Sequence, residues 1–207
     1  MPKIIKPAKG TFTVASITVD SSGRIVSAAS GSAGGALDVM RSAQDSGNGT
    51  YTANPAANNA TIYACGGGGG GGRGGDVSGR RGGQGGSGGY GAFFVPVSGG
   101  TDYTFAVGSQ GNGAGGNSPQ NGNAGGATTI PGLSVTANGG NGGSRGYFMV
   151  NNPGNAGSSP GATNSIPGVA PFFTDCGEGG NGSPNPGSTA GNPGTPGFLV
   201  VYDNIGE

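Results

Sequence analysis

The stretch Gly82-Gly83-Gln84-Gly85-Gly86-Ser87-Gly88-Gly89-Tyr90-Gly91 returns to glycine on a three-residue step, at 82, 85, 88 and 91 and again at 83, 86 and 89. The same step joins Gly108 to Gly111, Gly113 to Gly116, Gly122 to Gly125 and Gly154 to Gly157. It also runs through Gly140, Gly143 and Gly146, from Gly177 to Gly180, and through Gly191, Gly194 and Gly197. A left-handed extended helix of the polyproline II type has three residues per turn and no internal hydrogen bonds. A Gly-x-y run in that helix presents one edge without side chains. Several such helices can then pack main chain against main chain, exchanging N–H···O=C and Cα–H···O contacts sideways. The step therefore predicts a packed bundle of polyglycine II-type helices. Collagen is excluded, because its uninterrupted Gly-x-y period is broken throughout this chain.

The composition agrees with an ordered chain. Glycine is 53 of 207 residues, about 26% against about 7% on average, and proline adds 14. That content usually signals disorder, which normally brings high net charge and few aromatic residues. Here the formal net charge is zero, with Tyr 6 and Phe 8. Ordering some fifty glycines costs on the order of tens of kcal/mol relative to alanine, so only a cooperative hydrogen-bonded bundle offsets it. Flexible linkers are the alternative.

The aromatic and β-branched residues cluster in short runs bounded by Gly, Pro, Asn or Ser. These are Thr11 to Val19, Thr50 to Thr52, Ala60 to Ala64, Ala92 to Val97, Thr101 to Val107 and Gly197 to Tyr202. The fold class expected is all-β: β-sandwich-like strands with the glycine bundle. Residues 1–47 are poor in glycine and form a separate, small β region for attachment, followed by a glycine-rich domain over 48–207. Ile17 to Gly31 reads as two strands around a turn at Asp20-Ser21-Ser22-Gly23. Ala36 to Gln44 reads as a short helix, with Leu37, Met40 and Arg41 at helical spacing. The segment AFFVPVSGGTDYTFAVG, residues 92–108, reads as a hairpin that turns at Ser98-Gly99-Gly100.

Several chemistries are excluded. Without histidine there is no His-dependent triad, His-ligated metal or imidazole base. Lysine occurs only at positions 3, 6 and 9. Asp102, Asp175, Glu178 and Asp203 share no spacing that would make a carboxylate pair or a metal cluster. The chain reads as a non-enzyme with no cofactor and no metal. No apolar run approaches the roughly 20 residues of a membrane-spanning helix. The start, MPKIIKPAKG, lacks the apolar core of a signal peptide, so synthesis and assembly in a cytoplasm are expected. Cys65 and Cys176, the two cysteines, read either as a pair or as small buried hydrophobes. Gly71 to Asp76 matches the opening of a calcium-binding nonapeptide, but in a single copy where stacked repeats are required.

Gly49-Thr50-Tyr51-Thr52-Ala53, Ala60 to Gly72, Thr101 to Gly108 and Pro196 to Tyr202 together resemble the glycine-rich domain at the ends of bacteriophage tail fibres. The period-three runs also resemble the small distal adhesins of T-even phages, in which polyglycine helices hold up receptor-binding loops. The resemblance covers about residues 10–207. It implies a virion protein of the tail fibre or tail tip that attaches to a bacterial surface receptor, a glycan or an outer-membrane protein. It also implies homotrimers, and contact with other tail proteins through residues 1–47.

The candidate receptor-binding residues lie in Ser144 to Cys176: Tyr147, Phe148, Met149, Phe172 and Phe173. Aromatic side chains on loops give large contact area at low entropy cost. They could equally fill a small core beside the bundle. Alternative functions are a structural tail cap or spacer without a receptor, RNA binding through the Arg-Gly-Gly motifs at 73 and 81, and ice binding. Residues 1–81 carry net +4 and residues 82–207 net −4 by the sequence, which lacks the basic stripe of a nucleic-acid binder.

Overall fold

The computed structural model of the chain describes residues 15–19, 25–30, 37–44, 47–74, 81–115, 120–146, 157–158, 161–163, 177–183 and 190–205. Its regular elements are almost all β. They are β1 (Ala15–Val19), β2 (Ile25–Ser30), β3 (Leu37–Gln44), β4 (Gly47–Thr52), β5 (Ala57–Cys65) and β6 (Tyr90–Pro96). After these come β7 (Asp102–Val107), β8 (Thr128–Ile130), β9 (Val135–Ala137), β10 (Ala162–Thr163) and β11 (Phe198–Ile205). A single 3-10 turn, Pro131–Leu133, links β8 to β9, with Ser134 in the left-handed region at φ 54°.

All pairing is antiparallel. Strands β1 and β2 form the hairpin expected from Ile17 to Gly31. A five-stranded sheet runs β10-β9-β8-β7-β4, and a four-stranded sheet runs β3-β11-β5-β6. Alternate residues of the two larger sheets share one core. Tyr51, Phe105, Val107, Ile130 and Val135 come from one sheet; Ile62, Phe93, Leu199 and Val201 come from the other. Burying side chains of this size contributes about 1.5–3 kcal/mol each. The far face of the four-stranded sheet carries a second cluster, in which Tyr63 meets Tyr202 edge-on and Tyr90 tilts against Phe198.

Two expectations are corrected. Residues Leu37–Gln44 are strand β3, not a helix: they pair with β11 from Leu37↔Ile205 to Gln44↔Leu199. A lone helix of nine residues is marginal in water, and the open edge of β11 offers a full ladder instead. Nor do β6 and β7 make a hairpin. The Ser98 to Thr101 turn exists, with Thr101 N–H donating to the Ser98 carbonyl and Gly100 at φ 75°. It carries the chain from one sheet to the other, however, so β6 pairs with β5 and β7 with β4. The neighbouring loop from β4 to β5 changes sheet in the same way. The two loops are tied together by Ala53 N–H to the Thr101 carbonyl and by Gly100 N–H to the Ala53 carbonyl.

Asp203 holds this sheet-changing corner. It is 0% exposed, accepts a hydrogen bond from the Tyr51 hydroxyl, and accepts a second from Asn54 N–H at 2.8 Å. The carboxylate thus joins β11 to β4 and to the loop that follows it. Tyr51 in turn stacks on Tyr103, with ring centroids 5.8 Å apart.

Candidate functional site

The glycine run that follows Cys65 is buried along its whole length, from Gly66 to Gly74. Its main-chain bonds go outward in a three-residue rotation. The N–H groups of Gly66, Gly69 and Gly72 donate to Gly89, Gly86 and Gly83. Those of Gly67, Gly70 and Arg73 donate to Gly126, Asn123 and Gln120, and those of Gly68 and Gly71 to Thr195 and Asn192. The falling numbers show three antiparallel neighbours. The carbonyls of the run accept in the same rotation. Gly67, Gly70 and Arg73 take bonds from Gly140, Gly143 and Gly146; Gly68 and Gly71 from Gly111 and Ala114; and Gly69 and Gly72 from Gly180 and Ser183. These are three parallel neighbours.

Six segments therefore surround one. They also bond to each other around the ring, in the order 82–89, 138–146, 120–126, 108–115, 190–197, 177–183. Representative links are Gly86 to Asn141, Gly125 to Gly140, Asn123 to Asn112, Gly194 to Gly111, Asn192 to Asn181 and Gly85 to Gly180. Parallel and antiparallel segments alternate. The network leaves no room for side chains between segments. An added Cβ at any of Gly66 to Gly72 would lie 1.9–2.2 Å from a carbonyl oxygen of a parallel neighbour. The spacing in GGQGGS follows directly: Gly82, Gly85 and Gly88 press on the central run, Gly86 presses on Gly157 and Ser158, and Gln84 and Ser87 face solvent.

The bundle grows out of the sheets at one end. Cys65, Val107, Ala137 and Phe198 end or begin strands one residue from a glycine segment, and β6 opens at Tyr90 directly after Gly89. Thr128, fully buried, seals this junction: its hydroxyl donates to the Cys65 carbonyl at 2.6 Å and accepts from Gly108 N–H at 2.9 Å. Cys65 is buried at the same level, with Sγ 3.4 Å from the Gly66 carbonyl oxygen. At the opposite, outer end the described segments stop at Gly74, Gly115, Gly146 and Ser183, and those that begin there, at Arg81, Gln120, Gly157 and Ala190, run the other way.

Tyr147, Phe148, Met149, Phe172 and Phe173 lie outside the described residues, as does Cys176. The described residues that flank them sit at opposite ends of the bundle. Gly146 bonds to Arg73 at the outer end, whereas β10 pairs with β9 and Gly177 bonds to Gly88 and Pro196 at the sheet end. The Arg-Gly-Gly motifs are not alike in setting: Arg73 is buried and Arg81 exposed. Sequence reasoning treated Arg73 as one of a motif pair and missed its burial, although its place at the end of a glycine run was visible. Among the described residues no three or more Cys, Asp or Glu gather as a metal site, and no helix is long and apolar enough to cross a membrane.

A set of packed glycine segments rooted in two antiparallel sheets defines a class of scaffold. The chain belongs to the glycine-rich domain family, whose family model matches residues 41–204. No curated protein matches the sequence.

Proposed function

We propose that this protein attaches a phage tail fibre or tail tip to the surface of a bacterial host, that it is a binding protein without catalytic chemistry, and that its seven glycine segments are polyglycine II-type helices. Residues 1–47 mount it on other tail proteins, and the bundle carries recognition loops away from that mount. At about 3.1 Å per residue, the nine residues from 66 to 74 extend roughly 25 Å. Trimeric assembly would multiply weak single contacts into stable adhesion.

The observation that supports this reading is the polarity of the bundle. One end is continuous with the sheets and sealed by Thr128, while at the other four outgoing described segments stop and four returning ones begin. A stiff scaffold presenting several loops on one face suits recognition by shape and stacking. The bonded network also favours the bundle over flexible linkers, since linkers need no glycine at positions where a Cβ would strike a neighbour.

The test is binding of fluorescently labelled protein to intact bacterial cells across a strain panel, beside the double substitution Tyr147→Ala/Phe148→Ala. Saturable staining of some strains, weakened by the double substitution, is expected. A folded oligomer that stains no strain would turn the reading to a structural tail cap or spacer.

A further inference from the structure

The described bundle buries one charged side chain. Arg73 closes the central run and is 5% exposed. The other buried charge among the described residues, Asp203, has two hydrogen-bond donors on it. The guanidinium of Arg73 has no hydrogen-bond or ion-pair partner among the described residues. Arginine does not lose its proton in proteins, so titration cannot relieve the cost of this burial.

The register of the run says where the side chain goes. A Cβ at Gly67 would strike the carbonyl of Ser109, and one at Gly70 the carbonyl of Asn112. The next position in this series is 73, opposite residue 115. Segment 108–115 leaves the network there, and a Cβ on Gly115 would meet nothing within 4 Å. Position 73 is thus the first of the series at which a side chain fits, and it opens toward the outer end. Its nitrogens are not sealed in: every fully inaccessible side-chain nitrogen or oxygen among the described residues has a partner, so the unpaired ones of Arg73 touch solvent.

Among the described residues two more arginines stand within a three-residue turn of this level. Arg145 is exposed, its main-chain N–H held by Asn121 Oδ1 at 2.8 Å, and adjoins Gly146, which donates to the Arg73 carbonyl. Arg81, also exposed, adjoins the segment whose Gly83 accepts from Gly72. The described carboxylates are elsewhere. Asp102 and Asp203 lie toward the sheet ends remote from the bundle, and Glu178 bonds to Thr195 near the junction.

We infer that the outer end of the bundle is an oxyanion site, in which Arg73 grips a phosphate group through its fork of N–H donors while Arg81 and Arg145 attract it. A planar guanidinium presents parallel N–H groups that match two oxygens of one phosphate, which a lysine ammonium cannot do. The biological source of that phosphate is a phosphorylated glycan of the bacterial surface; this assignment of source rests on the attachment reading, whereas the site itself does not.

Inorganic phosphate is the first probe, titrated into the full chain by calorimetry and by thermal unfolding, against chloride at matched ionic strength. Wild type should bind phosphate saturably and melt higher in it. Arg73→Gln should lose about tenfold or more in phosphate affinity, yet melt in chloride no lower than wild type, because an unpaired buried charge has been removed. Arg73→Lys should recover little of the affinity. Equal phosphate effects on wild type and Arg73→Gln would overturn the site, as would a wild type indifferent to phosphate. So would an Arg73→Gln variant that is markedly less stable in chloride, which marks a purely structural arginine. In a second arm the same variants are applied to intact cells with and without phosphate as competitor. Phosphate-sensitive staining lost in Arg73→Gln supports the glycan source; staining equal in both overturns that source and leaves attachment standing. A phosphate effect without staining of any strain keeps the site and removes the attachment reading.

Discussion

The two halves of this molecule solve one problem, the pairing of buried main-chain groups, in different dimensions. In the sheets each strand bonds to the strands beside it, and the faces are left for side chains, so Ile62, Phe93 and Leu199 can meet Tyr51, Phe105 and Ile130 in a common core. In the bundle the central run bonds to six neighbours in rotation, and from Gly66 to Gly72 nothing is left over for side chains. The sheet half is held by apolar burial with the ladder as its frame. The bundle half is held by hydrogen bonds and close main-chain contact alone. The lesson concerns tolerance: a sheet accepts changes that conserve volume, whereas the bundle takes Gln84 and Ser87 at outward positions but needs glycine wherever a Cβ would strike a neighbour's carbonyl.

This contrast can be broken by substitution. The largest effect should come from Gly69→Ala, whose Cβ would lie 2.1 Å from the Asn141 carbonyl oxygen with main chain on both sides. A loss of about 4 kcal/mol or more is expected, seen as failure to accumulate as folded protein or as a collapsed melting transition. Leu199→Ala, fully buried between the sheets, should cost about 2–5 kcal/mol by urea denaturation. If it costs more than Gly69→Ala, the bundle is softer than its geometry implies. Asp203→Ala strands the Tyr51 hydroxyl and Asn54 N–H and should cost about 3 kcal/mol in the same assay. Thr128→Val keeps shape but removes the acceptor of Gly108 N–H and a donor to the Cys65 carbonyl, for about 1–3 kcal/mol. It also sharpens the comparison: hydrogen exchange should speed first in residues 66–74 if the halves can open separately, and throughout if they melt as one. Gln84→Ala, on an outward position of the same glycine run, should stay within about 0.5 kcal/mol of wild type.

Local chemistry carried much of this architecture into the sequence. The three-residue glycine step is legible because Gly82, Gly85 and Gly88 must be bare toward the centre and Gly86 bare toward Gly157 and Ser158, and both periods are written in GGQGGS. The burial alternation of Phe93, Phe94 and Val95 was legible for the same reason. What failed was non-local. Leu37, Met40 and Arg41 fit a helical spacing, and nothing within 37–44 announces that β11 will arrive to pair with them. Ser98-Gly99-Gly100 announces a turn but not whether the next strand stays in its sheet. Thr128-Thr129-Ile130 and Val135-Thr136 flank a Pro-Gly turn and went unread as strands, although the β-branched residues were there to be seen. The site was half legible. Arg73 was noticed within a motif, but its burial depends on which segments surround it, and that follows only from the assembled ring.

The order of the ring along the chain has a consequence for how the molecule is made. The central run leaves the ribosome before every segment that will enclose it, and its last neighbour, 190–197, arrives more than a hundred residues later. Strand β11, immediately after that neighbour, slots between β3 and β5, which were synthesised far earlier. The nascent chain must therefore hold its central glycine run incompletely enclosed until residues 190–205 emerge, roughly 6–23 seconds after the run itself at about 5–20 residues per second. Folding of this domain is a closing event that waits for its last strand, dominated by contacts distant in sequence and correspondingly slow.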